Sequence, residues 1–218
     1  MGVRLSAGPY RFLDPKLKLP SCQDWIRFDP ERLTLAAGAS TSVSYTVTPP
    51  ENLEVDTAGE YLSAILVDEL PAEEPDQGDR RVEGSSRLTI VPRIALAVYA
   101  MVEGKERVEV EVTRLTAEKL ASTPDLLKMS VTLKNLGTVH VRPSGTYALF
   151  REDGRLYHTA SLGKSMPLLP TASMAIPSLL PLPPEGRYRW VVTAEIREGT
   201  VLQKESSFEI TAEGEVIP

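Results

Sequence analysis

The stretch RYRWVVTAEIR at residues 187–197 alternates apolar and polar side chains almost without a break. Tyr188, Trp190 and Val192 fall on one face, and Ala194 and Ile196 continue the same face. Most of the intervening residues are arginine, threonine or glutamate. Because successive side chains of a β-strand point to opposite faces of the sheet, this period of two predicts a strand with one buried face.

The same alternation recurs along the chain, at residues 41–47 and 107–112, with β-branched residues that suit a pleated surface. Glu152-Asp153-Gly154 separates two further candidate strands and predicts a hairpin turn, since Asp-Gly readily adopts a positive φ. The one candidate helical stretch, Leu115–Lys128, is interrupted by Pro124. The sequence therefore predicts an all-β protein.

Composition excludes several classes of protein. Of the 218 residues, 42% are hydrophobic and 25% charged, a globular balance that excludes wholesale disorder. No apolar run approaches the roughly 18 residues of a membrane span. The net charge of −6 argues against nucleic acid as a partner. With two His and one Cys, no metal site, cofactor or internal disulfide is expected.

A pattern in the first half of the chain returns in the second half. Leu35–Val43 is similar to Leu168–Ile176, and each is followed by a pair of prolines. A Gly-x-Tyr sequence then opens a strand, as Gly59-Glu60-Tyr61 in the first copy and Gly186-Arg187-Tyr188 in the second. A tyrosine just inside a strand after a turn is typical of the corner of an immunoglobulin-like sandwich. Two such β-sandwich domains in tandem are predicted.

We expect the boundary within Met101–Glu106, which makes residues 1–103 the N-terminal domain and 104–218 the C-terminal one. The acidic residues 68–83 are expected to form a solvated loop. Fewer residues precede Ser40 in the first domain than precede Ala172 in the second domain. The first domain is therefore too short at this end to hold all the strands that precede Ala172. It is therefore expected to lack its N-terminal strands, with Met1 a misassigned start or an artificial boundary. In the second domain seven strands are predicted, near residues 107–115, 128–135, 145–151, 155–162, 172–179, 187–197 and 201–211.

Catalytic motifs are incomplete in this sequence. Gly163-Lys164-Ser165 resembles the end of a phosphate-binding loop, but His158 stands where the first glycine is needed. Ser161 and Lys164 have Ser-x-x-Lys spacing without the motifs that accompany it in penicillin-binding enzymes. His140 follows a turn at Asn135-Leu136-Gly137 and lies in a different predicted strand from His158. No catalytic residue is assigned, and an enzyme is not expected; a hydrolase with dispersed catalytic residues is the weaker alternative.

Several motifs together carry a family resemblance. They are Gly8–Leu13, Ser21–Pro30, Leu33–Gly38, Val43–Pro50, Gly59–Tyr61 and Pro92–Tyr99. Over residues 8–100 the chain resembles the PapD-like periplasmic pilus-assembly chaperones, and the second domain is similar to generic extracytoplasmic immunoglobulin-like modules. The resemblance implies a chaperone that lends a strand to a fibre subunit by β-augmentation, in the periplasm or elsewhere in the cell envelope. Residues 1–20 contain no signal peptide, since Asp14, Lys16 and Lys18 interrupt any apolar core.

The resemblance also assigns binding residues. Arg93 is expected to anchor the client's terminal carboxylate, and Ile94, Leu96 and Val98 would present one apolar face to the client. The family's second basic residue belongs to a first strand that is expected to be missing here. Alternatively, these three apolar residues fill the core of their own domain. The rival function is a structural or adhesive envelope module whose open edge pairs with another chain.

Overall fold

A computed structural model describes residues 1–10, 19–51, 53, 58–70, 91–163 and 166–218. The chain divides into two compact units, Met1–Val102 and Glu103–Pro218. Strands dominate both units, and the helical structure in the described ranges is one 3-10 turn at Gln23–Trp25. The described residues contain no helix long and apolar enough to cross a membrane. The predicted all-β class is confirmed.

The second unit, called unit 2 below, is an immunoglobulin-like β-sandwich of two antiparallel sheets. All seven strands predicted for this domain are present, followed by a short eighth. Their bounds are β7 (Val110–Leu120), β8 (Thr123–Asn135), β9 (Ser144–Arg151), β10 (Leu156–Ser161), β11 (Ser173–Pro181), β12 (Gly186–Arg197), β13 (Thr200–Ile210) and β14 (Val216–Ile217). One sheet has the strand order β11-β8-β7, and the other has the order β10-β9-β12-β13-β14.

The core of unit 2 lies between its two sheets. Alternate residues of β8 and β12 supply half of its buried residues, because one face of each strand points inward. The largest buried side chains include Trp190 and Tyr147. Tyr188 forms the predicted corner, since its hydroxyl donates to the carbonyl of Pro184 over 2.8 Å. Gly154 adopts a φ of 80° in the predicted Glu152–Gly154 hairpin turn.

The strands of the first unit, unit 1, are β1 (Gly2–Gly8), β2 (Ile26–Asp29), β3 (Arg32–Thr34), β4 (Ser44–Val47), β5 (Glu60–Leu70) and β6 (Arg93–Met101). They form a four-stranded sheet of order β3-β1-β5-β6 and a two-stranded sheet β2-β4. The ring centroids of Trp25 and Tyr61 lie 4.6 Å apart and link the 3-10 turn before β2 to β5. Among the described residues the buried apolar side chains of unit 1 are few, namely Val3, Cys22, Ile26, Leu62, Ala64 and Ile65.

The repeat seen in the sequence is also a repeat of structure. In unit 1 the amide of Ala39 donates to the carbonyl of Ala36 over 3.1 Å, and at the corresponding positions of unit 2 Ala172 donates to Leu169, also over 3.1 Å. The strand that follows is β4 in unit 1 and β11 in unit 2. The sheet order β3-β1-β5-β6 matches β10-β9-β12-β13 strand for strand.

Unit 1 differs from unit 2 in one respect that concerns function. In unit 2, β7 and β8 complete the sheet that contains β11. The described residues of unit 1 contain no strands equivalent to β7 and β8, and among them the one neighbour of β4 is β2. The described part of unit 1 is thus an incomplete version of the sandwich in unit 2.

Three segments differ from the expectations drawn from the sequence. The candidate helical stretch Leu115–Lys128 is the end of β7, a turn and the start of β8, since Pro124 cannot donate to a helix. Of the acidic residues 68–83, Asp68–Leu70 belong to β5, and residues 71–83 lie outside the described residues. Strand β1 was not predicted, although Val3, Leu5 and Ala7 alternate with Arg4 and Ser6.

Candidate functional site

The candidate site is β6, which contains all four residues that the family resemblance singled out. It pairs antiparallel with β5 from Asp68↔Arg93 to Glu60↔Met101. On its other side no strand is present among the described residues, so β6 is an edge strand of the four-stranded sheet. An edge strand carries a row of backbone donors and acceptors that can pair with another chain.

Ile94, Leu96 and Val98 share one face of β6, as alternate residues of a strand do. Ile94 is 61% exposed and Leu96 is 54% exposed, whereas Val98 is half-buried. Ile94 lies opposite Val67 of β5, and Leu96 lies opposite Ile65. The side chains of Ile94 and Leu96 are thus exposed, and both the client-binding assignment and the alternative that these residues fill the core of their own domain stay predictions.

Hydrogen bonds at the two ends of the β5–β6 pair identify which backbone groups face outward. The amide of Val102 donates to the carbonyl of Gly59 over 2.9 Å, and the amide of Glu69 donates to Pro92 over 3.5 Å. In an antiparallel pair, alternate residues direct both backbone groups toward the partner strand. The even-numbered residues of β6 thus face β5, and the backbone groups of Ala95 and Ala97 lie at the open edge.

Arg93 is part of a three-residue ion network at the start of β6. Its Nε lies 2.5 Å and its Nη2 3.2 Å from the carboxylate oxygens of Asp68. Nη2 of Arg4 on β1 lies 3.0 Å from the same carboxylate. Arg4 and Arg93 flank Asp68 because both stand directly opposite it on neighbouring strands. The Asp68 side chain is buried, whereas those of both arginines are substantially exposed.

These contacts set the protonation state of Asp68. Hydrogen bonds from Arg93 and then from Arg4 lower the pKa of the Asp68 carboxyl, and their positive charges act in the same direction. Burial opposes the shift but is the smaller influence. Two positive groups on one carboxylate leave a local excess of positive charge beside the open edge. Arg4 was missed by the sequence reasoning, although its place in the Val3–Ala7 alternation could have indicated it.

The incomplete catalytic motifs do not converge on a site. His158 lies in β10, and His140 lies in the loop between β8 and β9. The Ser161 hydroxyl accepts a hydrogen bond from the amide of Gly163 over 3.0 Å, while Lys164 and Ser165 lie outside the described residues. The described residues contain no cluster of His, Cys, Asp and Glu that could hold a metal ion.

Two cavities in unit 2 are surface grooves. One of about 370 Å³ lies between β7 and β13 over Trp190, and Glu118 at its wall pairs with Lys128 at 2.6 Å. The other, of about 400 Å³, is lined by the end of β9, the turn after it and the start of β12, and its Arg187 contacts Glu209 at 3.2 Å. Neither lining contains a histidine or a cysteine.

Comparison with known proteins gives fold similarities alone. No protein-family model matches the chain, and no curated protein matches it. A calcium-binding mutant of Bacteroides uniformis β-glucuronidase 2 aligns with 48% of this chain and 13% of its own, at 19% identity and a TM-score of 0.33. Bacteroides uniformis β-glucuronidase aligns with 95% of this chain and 24% of its own, at 14% identity and a TM-score of 0.33.

A CARDB domain from Pyrococcus furiosus, solved in complex with di-metal ions, aligns with 51% of this chain and 82% of its own. Its identity is 22% and its TM-score 0.28. This chain thus spans a small part of each glucuronidase and most of the CARDB domain's length. At such identities and scores, none of these similarities assigns an activity, a ligand or a partner to the chain.

Proposed function

We propose that this protein is a non-enzymatic binding protein of the bacterial cell envelope, which captures an extended segment of a partner protein by pairing it with β6. The observation that carries the proposal is the exposure of Ile94 and Leu96 on an edge strand. Contiguous exposed apolar side chains are uncommon on a protein surface and mark interaction sites. The resemblance to PapD-like chaperones suggests a subunit of a surface fibre as the partner and the periplasm as the location.

The physical basis is β-augmentation. An incoming strand would hydrogen-bond to the outward backbone groups of Ala95 and Ala97, and its alternate apolar side chains would cover Ile94 and Leu96. The small side chains of the two alanines leave the edge accessible. Backbone pairing would supply affinity, and the apolar face would select partners with matching alternation.

Arg93 would contribute charge to the same site. Its Nε and Nη2 are held by Asp68, and the guanidinium as a whole has five N–H donors. The remaining donors are available to a carboxylate at the end of the partner segment, through charge-assisted hydrogen bonds. Asp68 and Arg4 keep Arg93 in place, since the carboxylate is bonded by both arginines.

A second candidate function is a structural or adhesive envelope module. The described residues place no strand on the second side of β4, which favours this function, because unpaired edges at both β4 and β6 could each pair with a neighbouring chain. The two functions differ in what Arg93 does. A chaperone needs the cation to hold its client, whereas a structural module is indifferent to it.

Affinity capture from an envelope extract of the source organism tests the proposal. The immobilised wild-type chain is expected to retain one small fibre subunit. Ile94→Asp/Leu96→Asp and Arg93→Glu variants are expected to lose it. Ala97→Pro should weaken capture, because it removes an outward N–H and leaves the bonds to β5 intact.

Leu179→Asp in β11 is the matched control, since Leu179 is exposed to a similar degree, 55%, on unit 2. Its capture is expected to equal that of the wild type. Far-ultraviolet circular dichroism checks that every variant is folded. Equal capture by wild type, Ile94→Asp/Leu96→Asp and Ala97→Pro would overturn the β6 proposal. Loss in those variants but not in Arg93→Glu would favour the structural module.

A further inference from the structure

Strand β11 is an outermost strand of the sheet β11-β8-β7, and the described residues place no strand on its other side, called the free edge below. It pairs with β8 from Ser173↔Lys134 to Pro181↔Leu126 without a shift in register. Residues 166–184, which include the whole of β11, contain no charged side chain. An outermost strand can pair with a second copy of itself, and charged side chains, which β11 lacks, are one of the usual means of preventing this.

Two hydrogen bonds just beyond the ends of β11 identify which of its backbone groups face β8. The amide of Leu182 donates to the carbonyl of Asp125 over 2.8 Å, and the amide of Asn135 donates to the carbonyl of Ala172 over 3.0 Å. Alternate residues of an antiparallel strand direct their backbone groups to the same side. The even-numbered residues of β11 therefore face β8, and the odd-numbered residues face the free edge.

Pro177 and Pro181 are odd-numbered, so their nitrogens lie at the free edge. A proline nitrogen carries no hydrogen, and at these positions its absence removes no bond between β11 and β8. The free edge then has N–H donors at Ser173, Ala175 and Leu179. Leu179, between the two prolines, is 55% exposed. This edge thus combines an exposed apolar side chain with missing hydrogen-bond donors.

The repeat shows what stands at the same two positions in unit 1. In the alignment of the two copies, Pro177 corresponds to Ser44 and Pro181 to Thr48. The amide of Thr48 donates to the carbonyl of Trp25 over 2.9 Å, and the backbone groups of Ser44 face β2 by the same alternation. In unit 1, β2 lies between β1 and β3, whereas the residues between the equivalent strands β9 and β10 form a turn. The prolines therefore stand where N–H donors would have no β2 to pair with.

We infer that Pro177 and Pro181 close the free edge of β11 to strand pairing, and that they prevent a second copy of this chain from adding its own β11 there. The other outermost strands of unit 2 also hinder pairing, since β10 has one register shift, β7 has two, and β14 is two residues long. In contrast, β6 pairs with β5 over nine residues without a register shift and contains no proline. The inference goes beyond the proposed function and holds whether or not β6 binds a partner.

The double variant Pro177→Ser/Pro181→Thr tests this inference, because it gives unit 2 the residues that unit 1 has at these positions. It adds two N–H donors to the free edge without adding apolar surface. Its mass by light scattering is expected to rise with concentration toward that of a dimer or a larger assembly, above the mass of the wild type. Ser173→Thr/Ala175→Thr is the matched control, since both residues face the same edge and already have an N–H. It should keep the mass of the wild type.

Hydrogen–deuterium exchange of the full chain locates the contact. In the wild type, the amides of Ala175 and Leu179 are expected to exchange rapidly, because they face an edge without a partner strand. In the double variant they should exchange about ten times more slowly when the free monomer is about ten times its dimer Kd. Slow exchange of these two amides in the wild type would show that another part of the chain pairs with β11, and the inference would be overturned.

Two results for the double variant would also overturn the inference. One is the mass of the wild type at every soluble concentration, with circular dichroism showing a folded chain. The other is association without slower exchange at Ala175 and Leu179, which would assign the contact to a different surface. If the double variant does not fold, the single variant Pro181→Thr, at the end of the strand, is judged by the same two results. No partner protein is present in these measurements, so capture by β6 succeeds or fails independently of them.

Discussion

Gly38 and Thr171 stand at corresponding points of the two units, and both adopt a left-handed backbone, with φ of 75° and 64°. Each lies in the turn that leads into the equivalent strands β4 and β11. A glycine adopts this conformation without steric cost, whereas a β-branched threonine is strained there. The turn is therefore kept in unit 2 despite an unfavourable residue, which indicates that the contacts around it outweigh the strain.

Reciprocal substitutions test this correspondence. Gly38→Ala is expected to destabilise unit 1 by about 1 kcal/mol, from the left-handed backbone alone. No atom lies within 4 Å of the added Cβ, so no clash contributes. Thr171→Gly should stabilise unit 2 by about 0.5–1 kcal/mol, because relief of strain exceeds the added entropy of the unfolded glycine. Urea unfolding measures both changes, and a destabilised Thr171→Gly variant would contradict the explanation.

The ion network at Asp68 predicts a pH dependence of stability. The pKa of the folded Asp68 lies below its ordinary value, so between the two pKa values the unfolded state binds more protons than the folded state. The stabilisation that the charged Asp68 gives to the folded state is complete above the ordinary aspartate pKa. It is lost as the pH falls below that value toward the lowered pKa of the folded state. The variant Asp68→Asn should cost about 1–2 kcal/mol at neutral pH, from charge-assisted hydrogen bonds.

Urea midpoints of wild type and Asp68→Asn, measured from neutral pH down through the carboxyl range, check this prediction. The difference between the two proteins is expected to shrink on acidification. Asp153→Asn is a suitable control, since Asp153 is an exposed turn residue whose Oδ2 lies 3.6 Å from Nε of Arg155. A difference that stays constant down to the lowest pH would show that the charge of Asp68 does not stabilise the fold.

Asn135 is a buried polar residue on which the loop after β8 depends. Its side-chain amide donates to the carbonyls of Val139 and Leu168, both over 2.9 Å, and its Oδ1 accepts from the amide of Gly137 over 2.8 Å. Asn135→Ala leaves these buried groups unpaired and should cost about 2–4 kcal/mol. Asn135→Asp should cost more, because a carboxylate would face two carbonyl oxygens.

Thermal unfolding followed by tryptophan emission in a Trp25→Phe background measures the effect, since Trp190 then reports on unit 2. Lys134→Ala, the neighbouring substitution, should change the stability by less than about 0.5 kcal/mol. An Asn135→Ala variant as stable as Lys134→Ala would show that water replaces the lost bonds.

The thiol of Cys22 is expected to report on the opening of unit 1. It is fully buried, burial is the main cause that raises its pKa, and the nearby charge of Glu60 raises it further. Because the thiolate is the reactive form, labelling by a disulfide reagent should be far slower than for free glutathione at mildly alkaline pH. In urea the rate should approach that of an exposed thiol. Rapid labelling of the native protein would contradict the described packing of Cys22.

Short sequence patterns predicted much of the fold, because strand alternation and turn geometry depend on residues that are close together in the chain. The alternation at residues 187–197 and the Asp-Gly turn at 153–154 became β12 and a hairpin, since side-chain direction and backbone φ depend on a few adjacent residues. Strand β1 was not predicted, although its side chains alternate between apolar and polar. Asp68 was assigned to a loop because acidic residues follow it in the sequence. Its true partners, Arg4 and Arg93, are distant in the chain and become neighbours only through strand pairing.

The sequence by itself determined that this protein is built of strands, that its two halves repeat one pattern, and that the strand after Arg93 presents alternate apolar residues. Only the tertiary structure decided that Ile94 and Leu96 are exposed and that β6 has an open edge in the described part of unit 1. Alternation specifies the two faces of a strand. Which of its edges has a neighbour depends on hydrogen bonds between residues far apart in the chain, and on which strands are there to form them.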